Sequence, residues 1–197
     1  AKPAGALTYT QMLNSKGGIE CDLTVARLAD DEFYLVSGTA FRTHDAAWIR
    51  SQFLADEHVE LQDITEDWAT FSLMGPLARE VLAKITTDDL ENESFPFGTC
   101  HTIDINDEFS TNVPNVLALR VTYVGELGWE LHMPRDSAEI LYDALMEAGK
   151  DFGIANAGYR AIESLRLEKG YRAWGADITA DTTPFEAGLG WAVKLNS

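Results

Sequence analysis

The chain has 197 residues, 46% of them hydrophobic and 24% charged, and a formal net charge of −17, which is enough for one large domain or two small ones with a real core. That acidity repels polyanions and argues against a nucleic-acid partner; no apolar run is long enough to span a bilayer, and no signal-peptide pattern opens the chain. The two cysteines, Cys21 and Cys100, lie far apart, and His44, His58, His101 and His132 show no helical metal-pair spacing, so neither a disulfide framework nor a structural metal is expected.

The opening Ala1-Lys2-Pro3-Ala4-Gly5, without an initiator Met, runs straight into a strand-like stretch, as in a piece of a longer protein. Residues 7–12 are rich in β formers and predict a strand, and residues 14–18 a hairpin turn. Residues 19–27 alternate, with Ile19, Cys21, Leu23 and Val25 on one face and Glu20, Asp22 and Thr24 on the other. A turn at 29–31 leads to a strand over 32–37, so two hairpins in a row predict an antiparallel sheet. A helix is expected over 43–54, with Ala47, Ile49, Phe53 and Leu54 as its less polar residues. Strands follow at 59–63 and 68–74. Gly75-Pro76 then opens a helix striped by Leu77, Val81, Leu82 and Ile85.

Residues 88–110 are loop-rich with some strand character. A strand over 117–124 turns at Glu126-Leu127-Gly128 and returns over 129–133. Asp136-Ser137-Ala138-Glu139 has the form of a capping box. It precedes a helix with Ile140, Leu141, Ala144, Leu145 and Ala148 on one side, closed by Gly149. A last helix covers about 161–169, and a turn at 183–188 leads to a final strand over 191–195. Strands and helices come in blocks, which predicts an α+β fold of mainly antiparallel sheets with flanking helices. A soft boundary falls near Thr65 or within 88–94.

Asp22 is a carboxylate inside a strand, on the same face as Thr24, although Asp is depleted in strands. Either that face is simply wet, or a carboxylate and a hydroxyl point together into a cleft, with Gly17 and Gly18 permitting close approach of a ligand. Tyr123-Val124-Gly125-Glu126-Leu127-Gly128-Trp129-Glu130 is a second candidate. Its Glu130 could accept two parallel N–H bonds from a ring with an amidine-like edge, such as a pterin, or could be a solvated hairpin residue. In Leu165-Arg166-Leu167-Glu168-Lys169-Gly170-Tyr171-Arg172, the charges read as a solvated helix end, with Arg166 a partly buried structural arginine. Phosphate-loop, dinucleotide and nucleophile-elbow motifs are absent. Asp22 and Glu130 could form a glycosidase pair, but nothing else suggests a sugar cleft.

Taken in order, Tyr9-Thr10-Gln11-Met12-Leu13, Gly17-Gly18-Ile19-Glu20-Cys21-Asp22-Leu23-Thr24-Val25, Leu73-Met74-Gly75-Pro76, the Tyr123–Glu130 block and Thr183-Pro184-Phe185-Glu186-Ala187-Gly188-Leu189-Gly190 resemble the aminomethyltransferase (glycine-cleavage T-protein) folate-binding family. Gly125-Glu126-Leu127-Gly128-Trp129-Glu130-Leu131 and the Leu165–Gly175 segment are most similar to the C-terminal folate half of dimethylglycine dehydrogenases and oxidases and sarcosine dehydrogenases. The T-protein has Arg-Asp shortly before its Leu-Arg-Leu-Glu. Ile162-Glu163 stand there in this chain, so that family's ligand-contacting arginine does not carry over to Arg160.

The resemblance implies two lobes of a clover-like fold that binds tetrahydrofolate. It implies transfer of a one-carbon unit to give 5,10-methylenetetrahydrofolate, with FAD in a domain outside this chain oxidising the amine. On matching positions it makes Asp22 the reactive-centre residue, with Tyr9 and Thr24 lining the same pocket. It sets Tyr123 near the pterin and Glu130 on its amidine edge. Partners would be the folate, the amine-derived one-carbon unit and the FAD domain, with no nucleic acid and no membrane. The location would be cytoplasmic in a bacterium or the mitochondrial matrix in a eukaryote. Rival readings are a free-standing T-protein-like aminomethyltransferase and a non-catalytic relative such as the regulatory subunit of pyruvate dehydrogenase phosphatase. A third is the folate protein of iron–sulfur maintenance, whose Lys-Gly-Cys-Tyr motif is missing.

Overall fold

The structure, a computed structural model, describes residues 2–106 and 111–195. Ala1 and residues 107–110, the end of the loop-rich stretch, lie outside the described residues. The class is α+β with two antiparallel sheets and few helices, as expected. The chain forms two units, Ala1–Asp63 with Arg172–Ser197, and Ile64–Tyr171.

In the first unit β1 (Leu7–Leu13), β2 (Ile19–Arg27) and β3 (Phe33–Ser37) make an antiparallel sheet in that order. The first hairpin is closed by Asn14, whose side-chain oxygen accepts the N–H groups of Lys16 (2.9 Å) and Gly18 (3.0 Å), the Asx geometry that makes Asn a turn residue. Gly17 supplies the left-handed backbone, φ +83°. Gly18 serves a different approach from the one expected. A Cβ there would sit 1.7 Å from the Ala180 carbonyl oxygen, so it admits the unit's own returning tail, not a ligand. Burial along β2 alternates as predicted from Ile19 to Leu23, then slips: Val25 is half-buried and Ala26 fully buried.

The helix α1 is Arg42–Ser51 and buries a different face from the expected one. Ala47 is exposed, Phe53 and Leu54 lie beyond the helix end, and its buried residue is Asp45. Residues 59–63 are not a strand, because no partner strand pairs with them. Asp63 instead takes an ion pair from Arg42 Nε at 2.7 Å, and Arg50 reaches the Leu61 carbonyl. Residues 191–195 are not a strand either; Gly190–Ala192 is a 3-10 turn.

In the second unit β4 (Trp68–Met74), β5 (Cys100–Asn106), β6 (Asn112–Leu119) and β7 (Gly128–Pro134) form an antiparallel sheet ordered β4-β7-β6-β5. Trp129, Leu131 and Met133 point from β7 into a core closed by α2 (Ala78–Leu82) and α3 (Ala138–Ala148). The apolar stripe of α3, Leu141, Ala144, Leu145 and Ala148, is buried at helical spacing. Ile140, assigned to that side, is exposed. In α2 Val81 and Leu82 are buried, with Ile85 just beyond it, whereas Leu77 is exposed.

Two local expectations fail for local reasons. The strand predicted over 117–124 stops at Leu119. Arg120 exchanges backbone bonds with Gly98 and Thr99, and the Val121 N–H turns back onto the Leu119 carbonyl. Arg120 itself is buried, donating to the Phe95 carbonyl and to Asn92, with its guanidinium 5.4 Å from the Trp129 ring centre. The capping box is also absent: Ser137 ends a 3-10 turn and makes no side-chain cap bond. The last helix is as expected: α4 (Tyr159–Glu168) buries Arg166, while Leu165 and Leu167 on either side of it are exposed.

Candidate functional site

The pairing of β1 with β2 sets Gln11 opposite Asp22 and Tyr9 opposite Thr24. Opposite residues, and residues two apart, share a sheet face. Tyr9, Gln11, Asp22 and Thr24 therefore form one four-residue patch in the first unit. Gln11 Nε2 donates to Asp22 Oδ1 at 2.9 Å, and the Tyr9 side chain hydrogen-bonds the same carboxylate. Burial pushes the Asp22 carboxyl above its usual 3.8. The Gln11 and Tyr9 bonds pull the other way, and the Asp45 charge adds to the rise. A half-buried carboxylate aimed by two donors is a better proton acceptor, and a stronger partner for positive charge, than a solvated one.

The Tyr9 ring stacks on Trp191, with centroids 5.7 Å apart. Thr24 is half-buried on the same face and, among the described residues, makes no side-chain bond to Asp22. Sequence reasoning missed Gln11, Trp191 and Asp45. Gln11 was findable, since it has the same strand parity as Tyr9. Trp191 and Asp45 come from distant segments and carried no local signal.

Tyr123 and Glu130 belong to the second unit and sit on different kinds of backbone. Glu130 is on β7, opposite Ser72 of β4 and Leu119 of β6. Two residues on, the fully buried His132 places Nδ1 2.9 Å from the Thr70 hydroxyl and Nε2 3.6 Å from Glu130 Oε2. Tyr123 lies in the loop after β6, not on a strand. That loop is folded by the Thr122 hydroxyl, which accepts the N–H groups of Val124 (3.2 Å) and Gly125 (2.9 Å). Its ring stacks on Tyr171 at 6.4 Å.

Arg166 is a structural arginine: its guanidinium holds the Glu163 carboxylate and the Tyr171 carbonyl. Lys169 lies 3.7 Å from Glu126, both part-exposed, as a solvated helix end would. Arg160 is exposed on the first turn of α4. No described helix is long and apolar enough to cross a membrane.

The whole chain, residues 1–197, matches the family described as the GCVT N-terminal domain. It is 42% identical over 210 residues to mitochondrial sarcosine dehydrogenase of Mus musculus, an alignment covering 100% of this chain and 22% of that protein. It is 40% identical over 193 residues to mitochondrial dimethylglycine dehydrogenase of the same organism, covering 98% of this chain and 22% of that one. The crystal structure of glycine cleavage system aminomethyltransferase T from Bartonella henselae superimposes with a TM-score of 0.78 at 32% identity, covering 99% of this chain and 49% of that one. The chain thus spans 22% of the length of these two dehydrogenases. With its full length matched and its fold shared, the chain belongs to the GCVT N-terminal domain family and is homologous to sarcosine and dimethylglycine dehydrogenases.

Proposed function

We propose that this chain is the tetrahydrofolate half of a flavin-linked, N-demethylating dehydrogenase acting on dimethylglycine or sarcosine, and that it forms 5,10-methylenetetrahydrofolate. The observation that carries the reading is the Asp22 patch: one carboxylate, half-buried and aimed by Gln11 and Tyr9. The residues suit a pterin ligand. A carboxylate with fixed donors behind it can face a ring amine, and Glu130 is a second carboxylate, side chain 20% exposed, able to accept a paired N–H edge. Tetrahydrofolate, when bound, supplies the amine nitrogens that receive the one-carbon unit.

Asp22 stabilises the positive charge that develops during transfer and takes up a proton at its carboxylate. Gln11 and Tyr9 hold that carboxylate in one orientation. Thr24 offers a hydroxyl on the same face, and Tyr123 a flat ring for the pterin. FAD would be held by a domain outside this chain, where it would oxidise the amine that supplies the one-carbon unit. The mitochondrial dehydrogenases named above support a matrix location for a eukaryotic source; a bacterial source would make it cytoplasmic.

The test is Asp22→Asn in the complete enzyme, followed by methylenetetrahydrofolate formation. A near-normal rate removes Asp22 from the reaction. A free-standing aminomethyltransferase is the second reading, supported by the TM-score of 0.78 to the Bartonella protein. Its identity to this chain is lower, 32% against 42% for sarcosine dehydrogenase.

A further inference from the structure

On the β2 face opposite Asp22, Cys21 points inward against α1, where His44 and Asp45 begin the helix. The candidate donor atoms of Cys21, His44 and Asp45 all lie within 4.8 Å of one another. His44 Nδ1 is 3.0 Å from Asp45 Oδ1, and its Nε2 is 3.4 Å from Glu20 Oε2. The Cys21 thiol hydrogen-bonds Asp45. The imidazole is held from outside by Trp174, with ring centroids 5.4 Å apart, and Trp174 is itself anchored by its indole N–H on the Ile19 carbonyl at 2.7 Å.

The charge balance of this cluster is unusual. Asp45 is 6% exposed and Glu20 has a side chain 15% exposed. Glu20 accepts a hydrogen bond from Asn14 Nδ2 at 2.9 Å, and Asp45 meets the His44 imidazole and the Cys21 thiol. Buried carboxylates are ordinarily paired with a cation or bound to a metal. Here a cation from solution would meet that need. Thiolate, imidazole and carboxylate together form the mixed S, N and O donor set that suits a tetrahedral, borderline-soft cation.

We propose that Cys21, His44 and Asp45 form a binding site for one zinc-type divalent cation, with Glu20 against the imidazole Nε2. On loading, the Cys21 S–H bond breaks, its proton leaves to solvent, and a sulfur–metal bond forms. Burial, Asp45 and Glu20 hold that thiol up at about 12, so it is the cation and not the surroundings that makes the thiolate. The site is tested apart from the folate reading, because cation binding is read directly; of its residues, Asp45 also acts on the Asp22 carboxyl through its charge.

Cobalt(II) titration of the chelator-treated full chain reads the site directly. The expected result is one cobalt per chain, with a thiolate-to-cobalt charge-transfer band that zinc abolishes by displacement. Cys21→Ser should remove the band. His44→Ala should weaken zinc binding at least about tenfold. Cys100→Ser, which alters the other buried thiol, should leave both unchanged. His44 is exposed in its side chain, so its variant folds even if the Cys21 variant does not. Absence of a thiolate band in the unmodified chain, a band that survives Cys21→Ser, or unchanged zinc affinity in His44→Ala would each overturn the proposal.

Discussion

The two sheets divide the work of the molecule. The second unit stacks β4-β7-β6-β5 under α2 and α3 and buries Trp129, Leu131, Met133, Phe95 and Leu141 almost completely. The first unit has three strands, and of its sheet residues only Leu7, Ile19, Cys21, Leu23 and Ala26 are buried. Its half-buried face carries polar groups in their place: Tyr9, Gln11, Asp22 and Thr24. A sheet covered on one side spends its side chains on packing, while a barely covered one can keep a carboxylate half out of water. The contrast explains why the candidate chemistry collects on the thinner sheet.

The largest expected effect breaks chemistry without breaking packing. Asp22→Asn should cut one-carbon transfer by about 10²- to 10⁴-fold, measured as methylenetetrahydrofolate formation by the complete enzyme, while its unfolding midpoint in denaturant stays in place or rises. The reverse case is Trp129→Ala in the second unit. It should cost about 3–5 kcal/mol of stability in chemical denaturation; a loss below 1 kcal/mol would mean that the second core is not the packed scaffold described.

Glu130→Ala should weaken tetrahydrofolate binding by about 1.5–3 kcal/mol, the range for hydrogen bonds to a charged group, and calorimetry on the complete protein checks it. Unchanged affinity would leave Glu130 with its contact to His132 alone.

Smaller effects follow from the raised Asp22 carboxyl. Its folded pKa lies above the unfolded 3.8, so the folded state holds the proton more tightly. That contribution is complete below 3.8 and is lost as pH rises through the folded pKa. In chelator-treated protein, stability should therefore fall across that window, and Asp22→Asn should flatten the fall. Gln11→Leu removes a bond that holds the carboxyl down, so the acid limb of the transfer rate should move to higher pH. A limb that stays put would remove Gln11 from the site.

Much of this was legible in sequence because the signals were local. The period-two alternation of β2, the Asn-x-x-Gly-Gly turn and the helical stripe of α3 all depend on neighbours a few residues apart. Asp22 and Thr24 were also readable from strand parity, while Tyr9 came with the family resemblance and joins their face through the pairing of β1 with β2. The failures share a cause. Residues 59–63 and 191–195 have strand-like composition but no partner strand, and a strand exists only through its partner. The α1 face was misread because its inward residue is the charged Asp45, which Cys21 and His44 satisfy from outside the helix pattern.

The amino-acid order alone thus determined the class, most of the elements and the polar face bearing Asp22. Each follows from steric and hydrophobic rules that act along the chain. Tertiary structure alone decided that Gln11 and Tyr9 aim the Asp22 carboxylate, that Asp45 is buried beside Cys21, that Arg166 is structural, and that Gly18 admits Ala180 and not a ligand. Those facts depend on distances between residues far apart in the chain, and on how much water remains around a charge once they have met.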